Sequence, residues 1–210
     1  MKLFLSKILI AFYFLTTCLN AQQASDQVML ETDTVLAVKL LSADLAHKNH
    51  AGAVHLNVGS KPALEEAIEA IGMSVRDYDP AIPVDRFLIE RMVPSPRAEF
   101  IVGVSYKPGL GHALVIGRGG TAVEELKDYA TLLLPAGHAQ IEDALTSLKI
   151  SGKLRLSETE RTTLVTQIQA IAAFAEQHRS CLVELDVNPI ILDTAGRATA
   201  VDALLRLAQE

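Results

Sequence analysis

Apolar and polar positions along this chain alternate between two periods. Residues 35–40 form an apolar run broken only by Lys39, and read as a strand. Val54–Val58 alternates with period two and predicts a half-buried strand. Ser60 then offers a helix cap and Pro62 suits a first turn. Leu64, Ala67, Ile68 and Ile71 make one helical face, which Gly72 is expected to end. Residues 77–83 hold two prolines and no period, and predict a loop. Residues 86–92, 99–106 and 113–116 read as strands, separated by Pro94-Ser95-Pro96 and Pro108-Gly109-Leu110-Gly111. Gly117-Arg118-Gly119-Gly120 is a glycine-rich loop. Residues 141–148 predict a short helix, and Ser157-Glu158-Thr159-Glu160 is a capping box opening a helix to about His178. Residues 181–187 and 198–202 predict strands on either side of a turn at 193–197. Strands and helices in mixed order point to an α+β or α/β fold rather than a bundle or sandwich.

The first 21 residues follow another pattern. Lys2 and Lys7 precede an apolar stretch over residues 8–15, and Leu19-Asn20-Ala21 follows, the form of a signal peptide. The stretch falls short of the roughly 20 residues of a membrane span. Residues 22–32 read as a linker and 33–210 as the folded part. The 210 residues carry a formal charge of −6, which becomes −8 without residues 1–21. An acidic chain without tryptophan lacks the basic excess of a nucleic-acid binder. Two cysteines, Cys18 and Cys181, make neither a disulfide framework nor a four-ligand zinc site.

The C-terminal fold-back carries the densest chemistry. Glu184, Asp186 and Asn188 occupy every second position, so a strand presents them on one face and Val183, Leu185 and Val187 on the other. Three acceptors on one face require water, a cation or donors. A turn centred near residue 195 places Asn188 opposite Asp202. Oxygen donors without His or Cys suit Mg²⁺, which keeps waters and shares phosphates. Solvated strand-edge polar residues would give the same spacing. Lys39 at a strand end can reach a phosphate, Gly52 lets backbone N–H groups approach an anion, and neutral His47 is a competent phosphate acceptor.

Several of these segments, in order, resemble one family. Residues 39–48 with 51–56, then Phe87-Leu88-Ile89-Glu90-Arg91-Met92-Val93-Pro94, residues 98–104, 113–120 and 123–128, Glu184-Leu185-Asp186-Val187-Asn188-Pro189-Ile190 and Val201-Asp202-Ala203-Leu204 are similar to the ATP-grasp domain of NDP-forming acyl-CoA synthetases. That family includes ADP-forming acetate–CoA ligases and is related to the succinyl-CoA synthetase β subunit. The resemblance covers about residues 33–207 and implies an α+β ATP-grasp fold. A partial N-terminal subdomain would span 33–90 and a C-terminal one 91–210. It implies ATP and Mg²⁺ as cofactors. Lys39 would meet the ATP phosphates, Gly52 would lie in the loop over them, and Glu90, Arg91, Met92 and Val93 would contact adenine, largely through backbone groups. Glu99 would accept from the ribose hydroxyls, and Asn188 and Asp202 would hold Mg²⁺. His47 would relay phosphate, with Asp186 facing the transferred phosphoryl group or the phosphohistidine.

The function so implied is the ATP-binding part of an acyl-CoA ligase, making acyl-CoA, ADP and phosphate from acid, CoA and ATP. The CoA-binding and flavodoxin-like domains would come from a partner. The alternatives are a non-catalytic nucleotide-binding module and an inactive truncated remnant. His50, Ala53, Lys107 and Leu110 depart from residues common in the family. An ATP-dependent site implies the cytoplasm, whereas a working signal peptide would imply export, and a membrane is implied only if the leader is retained.

Overall fold

The computed structural model describes residues 17–20, 35–42, 44–45, 48, 50–120 and 127–208. They divide into two compact units, one reaching Met92 and the other starting at Val93.

The first unit is built on an antiparallel four-stranded sheet. Its strands are β1 (Thr17–Asn20), β2 (Leu36–Leu40), β3 (Val54–Val58) and β4 (Arg86–Arg91), in the order β1-β4-β2-β3. Helix α1 (Lys61–Tyr78) packs against it. The Ser60 hydroxyl accepts from the Ala63 N–H at 3.2 Å, the expected cap. The helix does not stop at Gly72: it runs to Tyr78, because Val75 continues the apolar face one turn beyond Ile71 and is fully buried. Val38, Leu40, Leu64, Ile71, Phe87 and Ile89 form the core, each contributing about 1.5–3 kcal/mol by burial. Thr17–Asn20, inside the leader-like stretch, pair with β4 from Thr17 opposite Ile89 to Asn20 opposite Arg86. The rest of that stretch and the linker at 22–32 lie outside the described residues.

The second unit is a larger antiparallel sheet covered on one face by helices. Its strands are β5 (Pro96–Lys107), β6 (Gly111–Arg118), β7 (Tyr129–Leu133), β8 (Leu182–Asp193), β9 (Ala198–Ala200) and β10 (Ala203–Leu207). The order is β10-β8-β5-β6-β7, and β9 pairs with β8. Helices α2 (His138–Ser147), α3 (Lys149–Leu154) and α4 (Glu158–Gln177) supply Ile141, Leu145, Leu164 and Ile168 to a core with Phe100, Val102, Val104, Leu114 and Leu185. The capping box at Ser157 is present, with the Glu160 carboxylate accepting from the Ser157 N–H at 2.8 Å. The strand expected at 198–202 is two pieces, β9 and β10, parted at Val201 and Asp202. Strand β7 and helix α3 were not anticipated. Among the described residues no helix is long and apolar enough to cross a membrane.

Candidate functional site

The terminal fold-back has the register expected from its turn. Ile190 pairs with Ala200 across β8 and β9, and Val187 with Ala203 across β8 and β10. In the gap between them the Asn188 N–H donates to the Asp202 carbonyl at 3.1 Å, and the Val201 N–H to the Pro189 carbonyl at 3.1 Å. Asn188 and Asp202 are thus backbone neighbours. Asn188 is exposed, and Asp202 is half-buried with Oδ1 accepting from the Ala203 N–H at 3.0 Å.

Strand β8 is not regular at this point. Phe100 of β5 faces Ile190, yet Val102 faces Val187, so β8 carries one extra residue at Asn188-Pro189. Such a bulge turns two successive residues away from the core. Asp186 and Glu184 are half-buried on regular backbone. Asp186 stands opposite Gly103, and a Cβ on Gly103 would lie 3.8 Å from Asp186 Oδ1. Glu184 accepts from Arg206 at 2.9 Å, so that member of the acidic stripe has a cationic partner on β10. On β5, half-buried Glu99 lies opposite Ile191 of β8, and its carbonyl accepts from the Gly119 N–H at 2.7 Å.

In the first unit, β2 and β4 bring Lys39 beside Glu90. Lys39 Nζ lies 2.7 Å from Glu90 Oε2, and both side chains are under 10% exposed. No hydrogen bond of aligned geometry reaches that oxygen among the described residues, so proximity of the ammonium charge is what compensates it. Arg91 ends β4, exposed and opposite Leu36. The Met92 N–H donates to the Val35 carbonyl at 2.9 Å, and its sulfur accepts from the Asn57 N–H at 3.2 Å. Val93, half-buried, begins the second unit. Gly52 has φ +61, and a Cβ there would stand 2.8 Å from the Ser74 Cβ. Glycine is therefore required by packing on α1, a reason the sequence did not show. His47 lies outside the described residues.

Two buried carboxylates escaped the sequence reading as more than turn and cap residues. Glu160 pairs with Arg97, which also donates to the Leu154 carbonyl. Burial alone would raise the Glu160 pKa, but the Ser157 N–H, Arg97 and the Ser157 hydroxyl outweigh it and hold the group below the ordinary carboxylate range. Asp193 is likewise lowered: burial opposes ionisation, while the Arg197 N–H, its guanidinium at 2.7 Å and the Ala195 N–H favour it. A third, Asp128, accepts from the Lys149 and Ile150 N–H groups at 2.7 and 2.8 Å and caps α3.

The donor set restricts which metal fits. Among the described residues no three His, Cys, Asp or Glu side chains gather as a metal cage. A carboxylate and an amide oxygen on neighbouring backbone suit a hard cation that completes its shell with water and phosphate, which is the habit of Mg²⁺. They do not suit structural zinc.

Comparison with known proteins accords with this architecture. The β subunit of the ADP-forming acetate–CoA ligase II of Pyrococcus furiosus is 29% identical over 177 residues, covering 82% of this chain and 75% of that subunit. The ADP-forming 4-hydroxybutyrate–CoA ligase of Nitrosopumilus maritimus is 26% identical over 170 residues, covering 79% of this chain but 24% of that protein. This chain thus spans three quarters of the one relative and about a quarter of the other. The fold matches the dinucleotide-forming acetyl-coenzyme A synthetase 1 of Ca. Korarchaeum cryptofilum with a TM-score of 0.79 at 21% identity, over 92% of this chain and 86% of that one. That synthetase has also been solved with coenzyme A and Mg-AMPPCP. The ATP-grasp domain family matches residues 5–207, nearly the whole length, and the chain belongs to it.

Proposed function

We propose that this chain is the ATP-binding part of an ADP-forming acid–CoA ligase, which converts acid, CoA and ATP into acyl-CoA, ADP and phosphate. A partner subunit or domain would supply the CoA-binding and flavodoxin-like parts. The observation that carries the reading is the juxtaposition of Asn188 and Asp202 across the β8–β9–β10 fold-back. It is supported by relatives that are ADP-forming ligases and by the Mg-AMPPCP held by the Korarchaeum synthetase.

In the first unit, Lys39 meets the phosphates, Gly52 belongs to the loop over them, and Glu90, Arg91 and Met92 meet adenine largely through backbone groups. In the second, Val93 continues the adenine segment, Glu99 accepts from the ribose hydroxyls, and Asn188 and Asp202 hold Mg²⁺. When bound, that ion spreads the charge of the phosphate oxygens. His47 takes the γ-phosphoryl group on an imidazole nitrogen as ADP leaves, and Asp186 faces the transferred phosphoryl group or the phosphohistidine. Catalysis is then chiefly positioning and electrostatics. An ATP-consuming reaction of this kind belongs in the cytoplasm.

Calorimetric titration of the full chain with Mg-ATP tests the metal assignment. Asn188→Ala and Asp202→Ala should each weaken binding about 10-fold or more, a loss of about 1.5–3 kcal/mol, with unchanged circular dichroism. Wild-type affinity in both variants removes it. Label from γ-labelled ATP should appear on the wild-type chain and be absent from His47→Ala. Equal labelling of the two removes the phosphohistidine.

A further inference from the structure

The glycine-rich stretch at 117–120 was singled out by sequence and has no role in the function proposed above. Its glycines differ in what they approach. A Cβ on Gly119 would lie 2.9 Å from the Glu99 Cβ, 3.0 Å from its carbonyl carbon and 3.2 Å from its carbonyl oxygen. Two of those three atoms are backbone, and none belongs to a flexible side-chain end. Gly119 also donates its N–H to the same carbonyl at 2.7 Å, just past the point where Phe100 pairs with Arg118. Gly120 follows at φ +92, and a Cβ there would face Glu99 Oε2 at 3.6 Å. The backbone at 119 therefore lies against the Glu99 peptide, and a side chain at 120 would meet the Glu99 carboxylate.

We propose that Gly119 and Gly120 are positioning residues that set Glu99 for the ribose hydroxyls, and so determine how strongly the site selects ribonucleotides. The inference rests on the reading of Glu99 given above. A free glutamate side chain forfeits rotamer entropy when it is fixed. Clamping the peptide and Cβ of Glu99 in advance reduces the orientations open to the carboxylate, so less is lost on binding. Any side chain at position 119 displaces that backbone. Gly117 provides an internal contrast. Its Cβ would meet the Asp128 carbonyl, Ile101 and Tyr129, all at 3.2 Å, and nothing of Glu99. It is a packing glycine in the same stretch.

The test is the ratio of affinities for Mg-ATP and Mg-2′,3′-dideoxy-ATP, measured by calorimetry on the full chain. Wild-type protein should prefer ATP, and Glu99→Ala should bring the ratio near one. Gly119→Ala should lower the ratio at least fivefold while dideoxy-ATP binds within about twofold of wild type. Gly120→Ala should lower it in the same direction, and it decides the matter if Gly119→Ala does not fold. Gly117→Ala should lower the melting temperature and leave the ratio unchanged. An unchanged ratio in Glu99→Ala, or no preference in the wild type, rejects the ribose reading itself. A collapsed ratio in Glu99→Ala with wild-type ratios in the folded glycine variants rejects the positioning role alone.

Discussion

Lys39 and Glu90 form a buried ion pair across adjacent strands, ammonium nitrogen to carboxylate oxygen 2.7 Å. The register of β2 on β4 sets it: Ala37 faces Glu90 and Lys39 faces Leu88, so the two side chains are diagonal neighbours, a separation that a long lysine spans. Each had been assigned to the nucleotide separately, and nothing in the sequence announces that they hold one another.

Removing one partner leaves an uncompensated charge in the core. Glu90→Gln should lower stability by about 3–5 kcal/mol, whereas Lys39→Met with Glu90→Leu should recover most of that loss. With no tryptophan in the chain, urea unfolding followed by circular dichroism is the measurement. A loss below about 1 kcal/mol in Glu90→Gln shows that the pair is not buried as described.

Acid should destabilise the second unit in a defined direction. Glu160 and Asp193 have folded pKa values below their ordinary ones, so their contribution is present above the ordinary carboxylate range, near pH 4–4.5 for free side chains. It is lost as pH falls through the folded values. Glu160→Gln and Asp193→Asn should each be less stable than wild type at neutral pH, and the gap should narrow on acidification below about pH 4. Parallel stability curves across that range contradict the assignment.

Asp128 accepts from the first two backbone donors of α3, and Ile150 is itself buried. Asp128→Ala should cost about 1–2 kcal/mol, and Asp128→Asn less, since one acceptor oxygen remains. Denaturant midpoints of the two variants check this, and equal midpoints for Asp128→Ala and wild type oppose it.

Gly52 combines a left-handed backbone with contact on Ser74. Gly52→Ala should lose about 2–4 kcal/mol, from the backbone conformation and from the 2.8 Å approach together. Thermal unfolding of the full chain reads this. An unchanged melting temperature would mean that the loop lifts freely from α1.

The fold-back was legible because a turn centre and a period of two suffice to align strands, and Asn188 does adjoin Asp202. Where side chains gave mixed signals, the elements were not. Strand β7 shows Ala130 and Leu132 to the core but leaves Tyr129 and Leu133 more than half exposed, so its apolar residues lie on both faces and no alternation stands out. The end of α1 was misjudged because a buried glycine, packed near Val84 and the Arg76 side chain, looks in sequence like a stop. Pairings between elements, such as Lys39 with Glu90 across two strands and Arg97 on β5 with Glu160 on α4, depend on how distant segments are placed, and local spacing carries no trace of them.

The extra residue in β8 shifts the phase of the strand. Before it the odd positions Leu185 and Val187 point inward; after it the even positions Ile190 and Leu192 do. A deletion of either Asn188 or Pro189 would leave the chain continuous and its composition nearly unchanged. It would remove the bulge and restore a plain alternation, in which Ile190 and Leu192 still face inward opposite the same part of β5 but one residue instead of two turns away from the core. The extra residue is therefore not what buries Ile190 and Leu192; what it sets is the local course of the backbone where Asn188 adjoins Asp202.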